Sequence, residues 1–162
     1  MGSVIILHVA YETPFWRKQG LSGAATSDNR SFNVVFDQSP EDESCGILVG
    51  FIDANHAVEA TKRGANSRRA GAIEDLISYF GPQAGQPIDY IEQNWTQEEW
   101  SRGCYVGHMA PGVMTTYGEA LRAPCGRVHW AGTETATEWL GYLDGALQSG
   151  IRAAREVAQR LS

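Results

Sequence analysis

The chain has 162 residues, a length that corresponds to about one ordinary domain. Hydrophobic residues make up 43% and charged residues 20%, which is typical of a globular protein and excludes a disordered chain. The formal net charge is −6 and no block of basic residues occurs, which argues against binding to nucleic acid or to an anionic membrane surface.

Signals for cellular location and the cysteine pattern further restrict the class of protein. No apolar run approaches the 18 residues or so that a membrane span needs, and no signal peptide is recognisable at the first residues. We therefore expect a cytoplasmic protein without a membrane partner. Three cysteines without a C-x-x-C pair exclude a zinc knuckle and make a disulfide framework an unfavoured interpretation. We predict no metal site.

The first third of the chain carries the patterns of β-strands. Residues 3–11 are rich in β-branched side chains and predict a buried strand that ends before Pro14. Residues 20–26 and 32–36 predict two strands joined by a polar turn. Residues 45–52 predict another buried strand.

Helical patterns follow. We predict a short helix from about residue 55 to 62 and a second helix over residues 67–80, which Gly81 and Pro82 end. A strand is predicted over 87–95, one helical turn within 95–102, and mainly loop over 103–121.

The last part of the chain predicts a strand, a loop and a helix. The strand is placed at 127–131, the loop at Gly132-Thr133-Glu134, and an amphipathic helix begins near Gly141. Apolar residues recur along that helix every three or four positions, at Leu143, Leu147, Ile151, Ala154, Val157 and Leu161. Such a helix start is suited to an anion, although an ordinary tight connection accounts for the pattern equally well.

A family resemblance rests on particular segments. They are the motif Gly103-Cys104-Tyr105, Trp95, and the run GRVHWAGTETATEWLGYLDGALQSGIRAARE over residues 126–156. Weaker matches lie at residues 2–5, 14–18 and 50–51. In these segments the chain resembles the C-terminal region of flavin-containing monoamine oxidases.

The resemblance implies an α+β fold, with a substrate-binding mixed sheet and helices followed by a strand, loop and helix that return to the flavin domain. It implies two domains, a substrate-binding part at 1–125 and an FAD-contacting part at 126–162. It also implies oxidation of a small primary amine to an imine, which hydrolyses to an aldehyde, with FAD as cofactor and O₂ reduced to H₂O₂.

Two tyrosines are the catalytic candidates. Tyr105 and Tyr142 match the pair whose rings flank the substrate amine in front of the flavin. Electron-rich ring faces attract a cationic amine and orient it. We expect the two rings to lie face to face across a gap of roughly 7–8 Å, which is twice a normal contact distance.

Eight residues are the cofactor candidates that the resemblance implies. Cys104 matches a cysteine that carries flavin covalently in some members, while a non-covalent flavin remains equally open. Gly132, Thr133 and Glu134 match a segment at the FAD phosphate and ribityl chain. Trp139, Gly141 and Leu143 match a segment along the isoalloxazine ring. Trp95 matches an aromatic side chain beside the flavin, for which a plain core role is an equal alternative.

Two departures from the family pattern are visible. Ile6 occupies a strand position where the family usually has a lysine that holds a water at flavin N5. No two of the 18 glycines are spaced i, i+2, so G-x-G-x-x-G does not occur in these residues. We therefore expect that these 162 residues by themselves hold no FAD, are inactive, self-associate through the exposed face of the last helix, and need a complementary FAD-binding chain.

Two further interpretations stay open. The chain could be a non-catalytic remnant, which Ile6 and the missing glycine motif favour. It could also belong to a relative that oxidises polyamines or amino acids. The intact pair of tyrosines and the unbroken GTETAT segment favour the small-amine enzyme.

Overall fold

A computed structural model of the chain describes residues 1–161, and Ser162 lies outside the described residues. The chain forms two compact units, one from Met1 to Cys104 and one that begins at Tyr105. The boundary expected at 125–126 divides a substrate-binding part from an FAD-contacting part, whereas the boundary after Cys104 divides two compact units. The division by function stays a prediction.

The first unit is built on a five-stranded sheet in the order β2-β3-β4-β1-β5. Its strands are β1 (Val4–Tyr11), β2 (Ala25–Thr26), β3 (Val34–Asp37), β4 (Gly46–Asp53) and β5 (Asp89–Asn94). All of its pairings are antiparallel. The α+β class is confirmed, but within residues 1–161 the sheet is antiparallel rather than mixed, because each strand runs opposite to the neighbour it bonds.

The central strand β1 shows why the sheet has two different faces. Ile5, Leu7 and Val9 alternate along it and are fully buried, since successive side chains of a strand point to opposite faces. Ile6 and His8 lie on the other face and are half-buried. In the register, Ile6 lies opposite Phe51 on β4 and opposite Gln93 on β5.

Helices and short helical turns connect the strands of this unit. They are α1 (Phe15–Lys18), α2 (Ala54–Thr61) and α3 (Ala65–Phe80), with 3₁₀ turns at Pro82–Gly85 and Trp95–Gln97. Leu76 and Phe80 of α3 pack into the core that also holds Trp16, Phe32 and Leu48. Gly81 ends α3 with a φ of 86° while its amide donates to the carbonyl of Ile77. The predicted helices and their ends are confirmed to within a few residues.

The second unit holds α4 (Val113–Tyr117), a 3₁₀ turn at Thr133–Thr135 and the long helix α5 (Leu143–Leu161). The buried side of α5 is lined by the small residues Gly145, Ser149 and Ala153. The apolar stripe of the same helix is exposed, with Leu143 at 91% and Leu147 at 64% of full exposure. Small residues let the preceding turn approach the helix closely, and this decides which side of α5 is covered.

Two strand predictions are wrong. Residues 127–131 form no strand, and the only pairing there is an isolated bridge between Cys125 and Val128. Of the strand predicted over 20–26, only Ala25–Thr26 is extended in the sheet. A segment becomes a strand only where a partner satisfies its backbone groups, and no described segment pairs further with either stretch.

Candidate flavin and amine site

The segment before α5 folds back onto that helix. The amide of Gly132 donates to Ser149 Oγ at 2.9 Å, and Ser149 is 1% exposed. Thr135 Oγ1 in turn donates to the carbonyl of Gly132. The GTET turn is therefore fastened to the second turn of the helix.

A tight turn then brings the chain to the start of the helix. Tyr142 donates its amide to the carbonyl of Trp139 at 3.0 Å, and Gly141 between them has a φ of 91°, as the third position of a type II turn requires. A Cβ on Gly145 would lie 2.3 Å from the Trp139 carbonyl oxygen. Glycine at 145 is thus what allows the loop to lie against the helix.

Three exposed aromatic residues of the second unit, Tyr105, Trp139 and Tyr142, are called here the aromatic patch. Trp139 meets Tyr142 edge to face, with ring centroids 5.9 Å apart and an interplanar angle of 88°. All three side chains are 62–65% exposed. Exposed aromatic side chains are typical of an interaction or ligand site.

The segments that carry the two tyrosines are neighbours. Val106 Cγ1, next to Tyr105, lies 3.9 Å from the position a Cβ on Gly141 would take, next to Tyr142. The same segments line a cavity of about 230 Å³ whose wall includes Val106, His108, Met109, Met114, Glu134 and Leu140. The structure therefore brings the two stretches together, while the face-to-face spacing of the rings stays a prediction.

Trp95 and Cys104 belong to the first unit. The indole Nε1 of Trp95 is buried and has no hydrogen-bond partner within residues 1–161. A buried donor without an acceptor is destabilising by about 1–3 kcal/mol. A ligand acceptor at this atom would remove that penalty, which fits the cofactor role suggested for Trp95.

Cys104 lies in a tightly packed stretch. Its amide donates to the carbonyl of Gly2 at 2.9 Å. Gly103 before it has a φ of 144°, and a Cβ there would lie 2.3 Å from that same carbonyl oxygen. Burial raises the pKa of the Cys104 thiol, because removal from water disfavours the thiolate.

We expect Cys104 to react more slowly with iodoacetamide than Cys125, which is exposed. The thiolate is the reactive form, so a raised pKa reduces the reactive fraction at pH 8 by about tenfold per unit. Mass spectrometry of the two labelled peptides over a pH series measures both rates. Equal rates for the two thiols would contradict this expectation.

The hydroxyl of Thr133 is hydrogen-bonded within the protein. Its hydroxyl donates to the Tyr142 carbonyl at 3.0 Å and accepts from the Gly141 amide at 2.6 Å. The hydroxyl is thus engaged within the protein, while the role of Thr133 toward a phosphate stays a prediction. Glu134 lines the cavity, and Leu143 at the helix start is 91% exposed.

Sequence reasoning missed several residues that shape this region. Ser149 and Gln148 hold the turn and the loop, since Gln148 Oε1 accepts from the amide of Thr137 at 3.0 Å. A polar residue within a helix that is otherwise small and apolar on one side is the signal that points to Ser149. Nothing in the chain pattern identifies Gln148.

Sequence reasoning also missed a hydrogen-bonded network of His129, Arg152 and Glu156, which lies between residues 129–130 and α5. His129 Nδ1 lies 2.8 Å from Glu156 Oε2, and Arg152 donates to Glu156 at 2.7 Å. Arg152 also donates to the carbonyl of Trp130. Hydrogen bonds from His129 and Arg152 lower the pKa of Glu156. The network attaches residues 129–130 to α5 without a sheet partner.

Two absences concern the described residues alone. No group of three or more His, Cys, Asp or Glu side chains within residues 1–161 could hold a metal ion. No helix in that part of the chain is long and apolar enough to cross a membrane.

The family model for flavin containing amine oxidoreductases matches residues 1–158. The chain belongs to this family. That membership confirms the resemblance to flavin amine oxidases, and it implies a flavin cofactor. The exposed start of α5 fits such a group.

Individual relatives are similar over nearly the whole chain. Probable flavin-containing monoamine oxidase A of Dictyostelium discoideum is 43% identical over 161 residues, which are 99% of this chain and 35% of that protein. L-amino acid dehydrogenase of a Synechocystis strain is 38% identical, over 97% of this chain and 33% of its own length. The chain therefore spans about a third of the length of these curated relatives.

Solved amine oxidase structures share the fold. Cyclohexylamine oxidase from Brevibacterium oxydans superimposes with a TM-score of 0.91 at 35% identity, covering 99% of this chain and 36% of that chain. The α+β architecture is thereby confirmed as one that a solved amine oxidase contains.

Proposed function

We propose that the protein oxidises a small primary amine to an imine, which hydrolyses to an aldehyde, and that this chain supplies the amine-facing part of the site. The observation that carries the proposal is the aromatic patch, in which Tyr105 and Tyr142 stand on neighbouring segments and remain exposed. Family membership supports the reaction class.

FAD is the proposed cofactor. When bound, it supplies the acceptor for the hydride equivalent of the amine α-carbon and passes the electrons to O₂, which gives H₂O₂. Trp139, Gly141 and Leu143 would lie against its ring, and Trp95 is the further aromatic candidate. Gly132, Thr133 and Glu134 would lie nearer its phosphate, and Cys104 is the candidate for a covalent bond.

The start of α5 contributes electrostatically to this site. The first amides of a helix have no partner within the helix and carry a partial positive charge. Leu143 is the first residue of α5, and the Tyr142 carbonyl accepts the amide of Ala146 at 3.1 Å. The exposed helix start can therefore stabilise negative charge placed against it.

The two tyrosines orient the amine. Their ring faces attract a cationic amine during entry, and two rigid rings restrict its approach to one direction. The loops around them, residues 105–109 and 133–142, carry Glu134 and Glu138 but no lysine or arginine. This charge balance favours a cationic substrate.

The exposed stripe of α5 is proposed as the surface that packs against the remainder of a flavin-binding protein. Leu143 and Leu147 are mostly exposed and Ile151 is 45% exposed, and burying such side chains is favourable by about 1.5–3 kcal/mol each. A complementary FAD-binding chain or a second copy of this chain are the alternative occupants.

The test is anaerobic mixing of the purified flavin-containing protein with primary amines. We expect the visible flavin absorbance to bleach and, after air is admitted, H₂O₂ and aldehyde to form in equal amounts. A flavin-loaded protein that stays oxidised with every amine of the panel would contradict the proposal and favour the non-catalytic interpretation.

A second candidate is oxidation of amino acids, which the similarity to the L-amino acid dehydrogenase of Synechocystis supports. An amino acid carries a carboxylate that a cationic side chain would have to bind, and the two loops named above offer only His108. Including amino acids and diamines in the same substrate panel distinguishes these possibilities.

Ile6 allows a prediction about reoxidation. It is half-buried on the outer face of β1, between Phe51 and Gln93. If this position faces the flavin, Ile6→Lys should speed reoxidation by O₂ about tenfold or more, because an ammonium group stabilises the charge that develops on oxygen. Stopped-flow absorbance measures the rate.

The control is His8→Lys, two residues further along the same face, where β1 pairs with Val49 and Ile91. It places the same charge on the same face at another position. Equal reoxidation rates for Ile6→Lys and the parent protein would mean that Ile6 is an ordinary residue of the sheet.

A further inference from the structure

The hydroxyl of Thr133 connects the GTET turn to the peptide that carries Tyr142. It accepts a hydrogen bond from the Gly141 amide at 2.6 Å and donates one to the Tyr142 carbonyl at 3.0 Å. A hydroxyl can donate one hydrogen bond and accept others. This one side chain therefore binds both the amide of Gly141 and the carbonyl of Tyr142. The family resemblance suggested a cofactor contact for Thr133 and did not suggest this one.

The peptide that Thr133 holds is the one that begins α5. The Tyr142 carbonyl also accepts from the Ala146 amide at 3.1 Å, which is the first hydrogen bond of the helix. The Tyr142 amide donates to the Trp139 carbonyl. The backbone on both sides of the Tyr142 side chain is therefore held, and the Thr133 hydroxyl is the only side chain that contributes to this within the described hydrogen bonds.

The turn that presents the hydroxyl is itself fixed to the helix. Gly132 donates to Ser149 Oγ at 2.9 Å, and Ser149 Oγ donates to the Ala146 carbonyl at 2.8 Å. Because Ser149 is almost completely buried, this attachment is shielded from water. Because the turn that carries Thr133 is fixed to α5, the hydrogen bonds of the Thr133 hydroxyl also fix the Tyr142 peptide relative to this helix.

The Tyr142 ring depends on its backbone for its direction. The ring is 65% exposed, and its described aromatic contact is the edge of Trp139. Trp139 is the first residue of the same turn, so it would move with that turn. Few packing contacts would restrain the ring if the peptide shifted.

We propose that Thr133 is a positioning residue that sets the orientation of the Tyr142 ring toward the amine through these two hydrogen bonds. The inference rests on the proposed function, since it assigns Tyr142 to the substrate. Without the hydroxyl, the Gly141 amide loses its acceptor and the turn can adopt other orientations. A displacement of about 1 Å in such a group can lower a rate by about a hundredfold.

The variants are Thr133→Val, which removes the hydroxyl at nearly constant shape, and Thr133→Ser, which keeps it. Thr133→Ala removes the same group without adding a methyl, so agreement between the Ala and Val variants excludes overpacking as the cause. Thr137→Val is the matched control, because the Thr137 hydroxyl bonds Gln148 in the same loop and its amide keeps that acceptor.

Two measurements on the flavin-loaded protein test the inference. We expect Thr133→Val to lower kcat/KM for a primary amine by about tenfold or more, with Thr133→Ser and Thr137→Val within about twofold of the parent. In fluorotyrosine-labelled protein, the ¹⁹F resonance that Tyr142→Phe removes should shift or sharpen in Thr133→Val and in Thr133→Ala, and should stay in place in Thr137→Val.

The outcomes separate this inference from the proposed function. An unchanged Tyr142 resonance in the Val and Ala variants overturns the inference, whatever the activity. In a Tyr142→Leu background, Thr133→Val should have no further effect on kcat/KM, and additive losses would contradict action through Tyr142. If Tyr142→Leu itself leaves amine oxidation intact while its resonance still responds to Thr133→Val, the positional role holds and the role assigned to Tyr142 is wrong.

Discussion

Replacing Tyr142 by leucine is expected to lower kcat/KM for a small primary amine by about 10- to 100-fold, because leucine has neither the flat face nor the electron density that orients a cationic amine. Tyr142 is 65% exposed and its removal leaves no core cavity. The free energy of unfolding should therefore change by less than about 0.5 kcal/mol. Steady-state kinetics and urea unfolding on the same flavin-loaded preparation measure both.

Tyr105→Leu should behave in the same way, since that ring belongs to the same aromatic patch. Tyr117→Leu is the matched control, because Tyr117 lies in the same unit with the same 62% exposure as Tyr105 but on the helix α4. If Tyr117→Leu lowers kcat/KM as much as the other two variants, loss of an exposed ring is a general disturbance and the site assignment fails.

The second large effect is on stability, at Gly50 of β4. A Cβ at this buried position would lie 2.3 Å from the Val34 carbonyl oxygen and 2.4 Å from Phe32 Cε2. One obstacle is backbone of the neighbouring strand and the other is a fully buried ring, so neither can move freely. We expect Gly50→Ala to lower the free energy of unfolding by about 3 kcal/mol, at the upper end for overpacked cores.

Gly71→Ala is the control for this variant. Gly71 lies within α3, and a Cβ there would meet nothing within 4 Å. The same chemical change should raise the free energy of unfolding by about 0.5–1 kcal/mol, because alanine is the better helix former. Urea unfolding of both variants, followed by circular dichroism, gives the two signs. A Gly50→Ala variant as stable as the parent would show that Phe32 and β3 can rearrange at little cost.

Local sequence patterns were sufficient for most elements of the first unit. The β-branched run that becomes β1 and the helical spacing of Ile73, Leu76 and Phe80 along α3 are properties of near neighbours in the chain. Gly81 at the end of α3 is equally local, since only its own φ matters. These elements were therefore predicted correctly before any long-range contact was known.

The sequence by itself also determined the family, because the resemblance to flavin amine oxidases agrees with the family model that matches residues 1–158. It did not determine which side of α5 would be covered. The large apolar residues of that helix predicted an exposed face, which the structure confirms, but they gave no sign that Gly145 and Ser149 would line the covered side.

What only the tertiary structure decided is the set of contacts between segments far apart in the chain. The hydroxyl of Thr133 meets the Tyr142 peptide, Gly132 meets Ser149, and the run at 127–131 is held by Arg152 rather than by a strand. Such contacts depend on where two segments meet in space, and the spacing of apolar residues along the chain does not predict this. Local periodicity selects helix or strand, but the partner of each face is decided by packing of the whole unit.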